Sequence, residues 1–158
     1  MENFDQHKTE VVFKTCLLLV RHFKNLIEYQ QNTNQIRVGY NSRIFQHMLH
    51  RENHFVTLGN SEKLSDGVPA HPEHVVPCAY MIDELDRLIK EGRHSDEELA
   101  RALQKNWKIA YITKDEARYL DFGLKLKSRM PQGWDFMTGR PEERLEAAGI
   151  KLVQVQSQ

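Results

Sequence analysis

The sequence HPEHVVP, residues 71–77, combines two histidines, a glutamate and two prolines with a pair of β-branched valines. Valine pairs favour a strand, and proline is accepted near the start of one. Successive strand side chains point to opposite faces, so Glu73 and His74 can act on one atom only where the strand is irregular. We expect Pro72 to supply that irregularity. The segment therefore predicts a strand that brings two ionisable groups together.

The residues after this segment predict two helices, a second strand and a third helix. Apolar residues recur at helical spacing, and Gly92 is a good helix terminator. Ser95 and Thr113 each precede a glutamate by three residues, which is the capping-box pattern at a helix start. The expected elements are a helix over 81–91, a helix over about 96–105, a strand over 107–112 and a helix from 114.

The remaining chain predicts a mainly helical first part and an irregular last part. The expected elements are a long helix over 9–30, a short helix over 43–50, a strand over 54–58, a loop over 59–73, irregular chain over 125–134 and a last helix over 141–149. We predict one domain of α+β class. Its parts are a helical N-terminal part (1–53), a core (54–124), and an irregular segment with a C-terminal helix (125–158).

Composition argues against several classes of protein. The chain has 158 residues, 22 basic and 22 acidic, so its formal net charge is zero. A zero net charge argues against bulk binding of polyanions, but it is compatible with a local basic surface. Two cysteines without metal-ligand spacing argue against a disulfide scaffold or a cysteine zinc site. The charged N-terminus and the short apolar runs predict no signal peptide and no membrane association. We expect a cytoplasmic protein.

Without the two inserted helices, the second half is strand, strand, helix. EHVVP, residues 73–77, resembles the acid-His-Ile/Val-Ile/Val-Pro opening of the HNH, or ββα-metal, endonucleases. IAYITKDEARYLD, residues 109–121, has a weaker resemblance to their closing strand and helix. The tail MPQGWDF…ERLEAAGI is similar to the end of some bacterial and phage HNH proteins. The resemblance covers about half of the chain and leaves the first 50 residues unplaced.

The resemblance implies a metal-dependent endonuclease or nickase that hydrolyses DNA. His74 would be the general base, which suits imidazole because its ordinary pKa is near neutrality. Glu73 would bind a divalent metal ion, Mg²⁺ or Mn²⁺, both of which prefer oxygen ligands. The family's last ligand should fall near position 117, which is Ala117 here. The carboxylates that could replace that ligand are Asp115, Glu116 and Asp121.

Several of these residues also have structural explanations. Glu116 is the capping-box partner of Thr113, and Asp115 suits the positive end of a helix. The basic residues expected to contact nucleic acid are Lys108, Lys114, Arg118, Lys127 and Arg129. Together with Ala117 at the ligand position, these explanations leave a second hypothesis open. The chain would then be a catalytically lapsed HNH-like scaffold that binds a protein or nucleic acid, such as a phage or bacterial inhibitory factor.

Overall fold

The structure is a computed structural model that describes residues 2–33, 43–48 and 56–154. It has the expected α+β class. The helices are α1 (Glu2–Thr33), α2 (Ile44–Met48), α3 (Cys78–Glu91), α4 (Asp96–Asn106), α5 (Lys114–Arg118) and α6 (Glu143–Ala147). A single π-helical turn, Tyr119–Gly123, directly continues α5. The strands are β1 (Thr57–Ser61), β2 (His71–His74), β3 (Ile109–Ile112) and β4 (Leu152–Val153).

The four strands of the described residues form one mixed sheet in the order β2-β3-β1-β4. β2 and β4 run antiparallel to their neighbours, whereas β1 runs parallel to β3. The strand predicted within residues 71–77 is β2, which ends at His74 before the two valines, and the strand predicted over 107–112 is β3. The two helices between them, α3 and α4, form the connection. The second half thus has the order strand, two helices, strand, short helix.

The sheet separates two hydrophobic clusters. Ile109 points to the larger cluster, which α1, α3 and α4 share with Trp107. Ala110 and Ile112 point to the smaller one, which contains Leu120 and Leu145. Alternation along β3 explains this division, because neighbouring side chains on a strand face opposite sides. Each large apolar side chain removed from water contributes about 1.5–3 kcal/mol, so both clusters hold the sheet between its helices.

The predicted helix over 9–30 is confirmed and extends further in both directions. Val12, Cys16, Leu19 and Phe23 are buried at helical spacing, against α3 and α4. Burial raises the pKa of the Cys16 thiol to about 12, so this thiol is unreactive near neutral pH. No helix in the described ranges is long and apolar enough to cross a membrane.

The local signals at helix ends are confirmed. Ser95 Oγ accepts a hydrogen bond from the Glu98 amide at 3.1 Å, and the Glu98 carboxylate accepts one from the Ser95 amide at 2.8 Å. Thr113 and Glu116 form the same reciprocal pair at α5. Gly92 ends α3 in the left-handed conformation, with φ of 69°. These motifs are readable in sequence because their partners lie within four residues.

The predicted loop over 59–73 is wrong at both ends. Gly59–Ser61 completes β1, and His71–Glu73 opens β2. The segment is rich in glycine, proline and polar residues, which lower strand propensity, but pairing with β3 and β4 satisfies its backbone groups. Gly59 is needed there because a Cβ would lie 2.7 Å from the Val153 carbonyl oxygen of β4.

Other boundaries shift by a few residues. The strand expected over 54–58 begins at Thr57, and positions 54–55 lie outside the described residues. The helix expected over 43–50 is present as α2, with positions 49–50 outside them. The last helix starts at Glu143 rather than Pro141. β4 was not predicted, because two residues are too short for a periodic pattern.

Candidate functional site

Glu73 and His74 lie on opposite faces of the sheet. Glu73 pairs with Ala110 and His74 with Ile109, in a continuous register through β2. Ala110 belongs to the smaller cluster and Ile109 to the larger one. Directly opposite residues of an antiparallel pair share a face, so the two ionisable side chains diverge. Pro72 does not introduce the irregularity that the sequence led us to expect.

The Glu73 carboxylate is held by two neighbours. Arg144 Nη1 lies 2.8 Å from Oε1, and His71 Nε2 lies 3.2 Å from Oε2. His71 is two residues before Glu73 on the same strand, which places both side chains on one face. The Glu73 side chain is 13% exposed, and that of His71 is 43% exposed. Each carboxylate oxygen therefore already has a nitrogen partner.

Arg144 of α6 is the centre of this arrangement. Its side chain is fully buried, and it donates to the carbonyl oxygens of Leu126 at 2.9 Å and His74 at 3.1 Å. Asp121 Oδ1 is 4.0 Å from Nη2. A buried guanidinium needs such partners, since burying an unpaired charge costs several kcal/mol. We call Arg144, Glu73 and His71 the Arg144 cluster.

Sequence inspection missed Arg144, although one signal was present. Four residues at helical spacing are buried or half-buried in the structure: Pro141, Arg144, Leu145 and Ala148. An arginine on the apolar face of a short helix therefore indicates a buried charge with a partner elsewhere. The identity of that partner could not be read from the helix itself.

The Glu116 carboxylate is bonded to β1, whereas Glu73 belongs to β2. Its Oε1 accepts a hydrogen bond from Ser61 Oγ of β1 at 2.8 Å, and its Oε2 accepts one from the Thr113 amide at 2.9 Å. β1 and β2 flank β3, which sets them about 10 Å apart at ordinary strand spacing. Asp115 is exposed at the start of α5. Glu116 therefore acts as a cap that ties α5 to β1.

These placements do not assemble the expected metal ligands. In the part of the chain that the structure describes, no three His, Cys, Asp or Glu side chains form a metal-binding group. The guanidinium of Arg144 against Glu73 Oε1 also opposes a divalent cation at that oxygen, because like charges repel. The donor set around Glu73 does not fit Mg²⁺ or Mn²⁺ as it stands. The metal ion remains an expectation from the resemblance.

The basic candidates divide into one half-buried residue and an exposed group. Lys108, just before β3, is half-buried, and burial lowers the pKa of its amine. Lys114, Arg118, Lys127 and Arg129 are exposed. Lys125 is exposed as well and takes a left-handed conformation, with φ of 56°. We call the five exposed residues, which are Lys114, Arg118, Lys125, Lys127 and Arg129, the basic surface.

The five cations of the basic surface have no ion pairs with carboxylates of the described residues, as is also true of the exposed Lys63 and Arg93. By contrast, Lys14 pairs with Glu10, and Lys90 pairs with Asp86 at 2.7 Å. Residues 114–129 hold five basic and three acidic residues, and one acid is the buried Glu116. A protein of zero formal net charge thus has a segment, residues 114–129, in which basic residues outnumber acidic ones.

Comparison with known proteins adds no relative: no family model, curated protein or solved structure matches the chain. The HNH resemblance therefore depends on the quoted residues alone.

Proposed function

We propose that this chain is a nucleic-acid-binding protein built on an HNH-like strand-strand-helix core, in which Glu73 has a structural role. The observation that carries the proposal is the basic surface: five exposed cations within sixteen residues, none of which pairs with a carboxylate that the structure describes. The ion pair between Glu73 and the buried Arg144 supports the structural role of the carboxylate.

Phosphate groups are the chemistry that this surface suits. Lysine and arginine side chains that are not paired within the protein release counterions from nucleic acid when they meet its phosphates. Paired cations, such as Lys90 with Asp86, must first break their own contacts. The protein should therefore bind nucleic acid with a salt dependence set by the basic surface.

Neutralising two of these cations should weaken binding at low salt. For a Lys127→Gln, Arg129→Gln double variant, we expect the slope of log affinity against log salt to fall in magnitude by about 1.5. The reason is that two fewer phosphate contacts release fewer counterions. Fluorescence anisotropy of a labelled oligonucleotide over a salt series measures the slope.

The matched control is a Lys14→Gln, Lys90→Gln double variant, which removes two exposed cations that have carboxylate partners. Its slope should equal that of the wild type. Equal slopes for all three proteins would show that neither Lys127 nor Arg129 contacts phosphate, and would contradict the proposal.

Phosphodiester hydrolysis is the second candidate function. It is favoured by the antiparallel pairing of β2 and β3, followed by the capped helix α5, which is the strand-strand-helix order of the HNH endonucleases. His74, half-buried at the end of β2, would be the general base. The substrate of this reaction would be DNA. The reaction would also need a divalent metal ion, which Glu73 would bind after its carboxylate moved away from Arg144.

Plasmid cleavage distinguishes the two candidates. The wild type is incubated with supercoiled DNA in Mg²⁺, Mn²⁺ or EDTA, beside His74→Ala and a control variant, His94→Ala. His94 is half-buried in the loop between α3 and α4. We expect intact plasmid from all three proteins, because Glu73 is committed to Arg144. Metal-dependent nicking that is lost only in His74→Ala would establish the endonuclease.

A further inference from the structure

We propose that Tyr119 and Phe122 form a stacking platform for unpaired bases, so that single-stranded nucleic acid is the preferred ligand. This inference rests on the proposed nucleic-acid binding by the basic surface. It adds the class of substrate, which charge alone does not select, because phosphates occur in both single strands and duplexes.

Both rings are exposed to solvent. Phe122 is 72% exposed and Tyr119 is 50% exposed, although the same π-helical turn buries Leu120 completely. The turn thus places its aliphatic side chain in the smaller cluster and presents two aromatic rings to solvent. Exposed aromatic rings beside cations are typical of surfaces that bind single strands. There the bases stack on the rings, and the phosphates contact lysine or arginine.

The turn holds the Tyr119 ring in place. A Cβ on Gly123 would clash with this ring, within 2.7 Å of Cε2, so the ring lies directly over the glycine backbone. The Leu124 amide donates to the Tyr119 carbonyl at 2.9 Å, and the Leu126 amide donates to the Leu120 carbonyl at 2.9 Å. A ring supported on one side needs little ordering before a base stacks on it.

The basic surface borders the platform on both sides along the chain. Arg118 directly precedes Tyr119, and the backbone that carries Lys125 and Lys127 returns beside the turn through the Leu126 hydrogen bond. Charge complementarity therefore favours a polyanion over an apolar protein partner. Bases within a duplex already stack on each other and leave no face for an added ring, which selects a single strand.

The test compares a labelled single strand of about 16 nucleotides with the matching duplex, by anisotropy at about 50 mM salt. We expect tighter binding of the single strand by the wild type. Phe122→Leu and Tyr119→Leu should each weaken single-strand binding by about 5-fold to about 100-fold, and change duplex binding less than about 2-fold. Leu18→Ala, an exposed apolar residue of α1, is the matched control and should bind as the wild type does.

Phe122→Trp provides a direct readout of stacking. The native Trp107 and Trp134 are buried, so quenching of the additional emission by the single strand, and not by the duplex, would report contact at position 122. In one outcome the wild type binds both ligands with equal affinity, while Lys127→Gln, Arg129→Gln still reduces the salt slope. That result would overturn the proposed stacking platform and leave the proposed function intact. Absence of binding to either ligand would overturn both. A dimer of the wild type that Phe122→Leu dissociates would assign the rings to self-association instead.

Discussion

Arg144→Met is expected to lower the free energy of unfolding by about 3–5 kcal/mol. The variant removes the guanidinium that pairs with Glu73 at 2.8 Å, and leaves the carboxylate 13% exposed with His71 as its remaining neighbour. It also leaves the His74 and Leu126 carbonyl oxygens without this donor. Urea unfolding followed by circular dichroism measures the loss, with the slope m checked for constancy.

Two comparisons make the result specific to the Arg144 cluster. Arg140→Met removes an arginine that pairs with Glu146 at 2.7 Å but is 63% exposed, so it should cost less than about 1 kcal/mol. Adding Glu73→Leu to Arg144→Met should recover part of the loss, because the uncompensated charge is gone. If Arg144→Met costs no more than Arg140→Met, Glu73 is not held by this ion pair. The carboxylate would then be available to a metal ion.

Trp107→Ala is expected to lower the free energy of unfolding by about 3–5 kcal/mol, through loss of transfer energy and the cavity left behind. Trp107 is 1% exposed and links the end of α4 to β3. Its ring meets Phe45 of α2 edge to face, with centroids 4.7 Å apart. Because it belongs to the larger cluster, its removal also weakens the packing of α2 against the sheet. Urea unfolding gives the change.

Phe122→Ala is the matched aromatic control, since that ring is 72% exposed. We expect a change within about 0.5 kcal/mol. The comparison also tests whether platform variants remain folded, which the binding measurements require. A Trp107→Ala variant as stable as Phe122→Ala would show that the larger cluster does not depend on this ring.

Stability and the proposed binding of nucleic acid depend on different parts of the protein. The Arg144 cluster stabilises the contact between α6 and β2, whereas the basic surface and the platform contribute little to stability because they are exposed. Residues that stabilise and residues proposed to bind are therefore different. Substitutions in the basic surface should change binding without unfolding the protein, which makes the proposed function open to direct test.

The sequence by itself determined the elements whose signals are local. The periodicity of α1, the capping boxes at Ser95 and Thr113, and the terminator Gly92 each depend on residues within a few positions. The helices from α3 to α5 followed from such signals, whereas the strand expected at Val75 and Val76 lies earlier, at His71–His74. The structural role of Glu116 as a cap was readable for the same reason.

Only the tertiary structure decided which charges meet. Glu73 and Arg144 are 71 residues apart, and Ser61 and Glu116 are 55 residues apart, so no local pattern relates them. The sequence predicted Glu73 beside His74 as one site, but the regular pairing of β2 with β3 sends their side chains to opposite faces. Burial of Arg144 and exposure of Phe122 likewise depend on how the helices pack against the sheet, because a side chain's surroundings are set by distant parts of the chain.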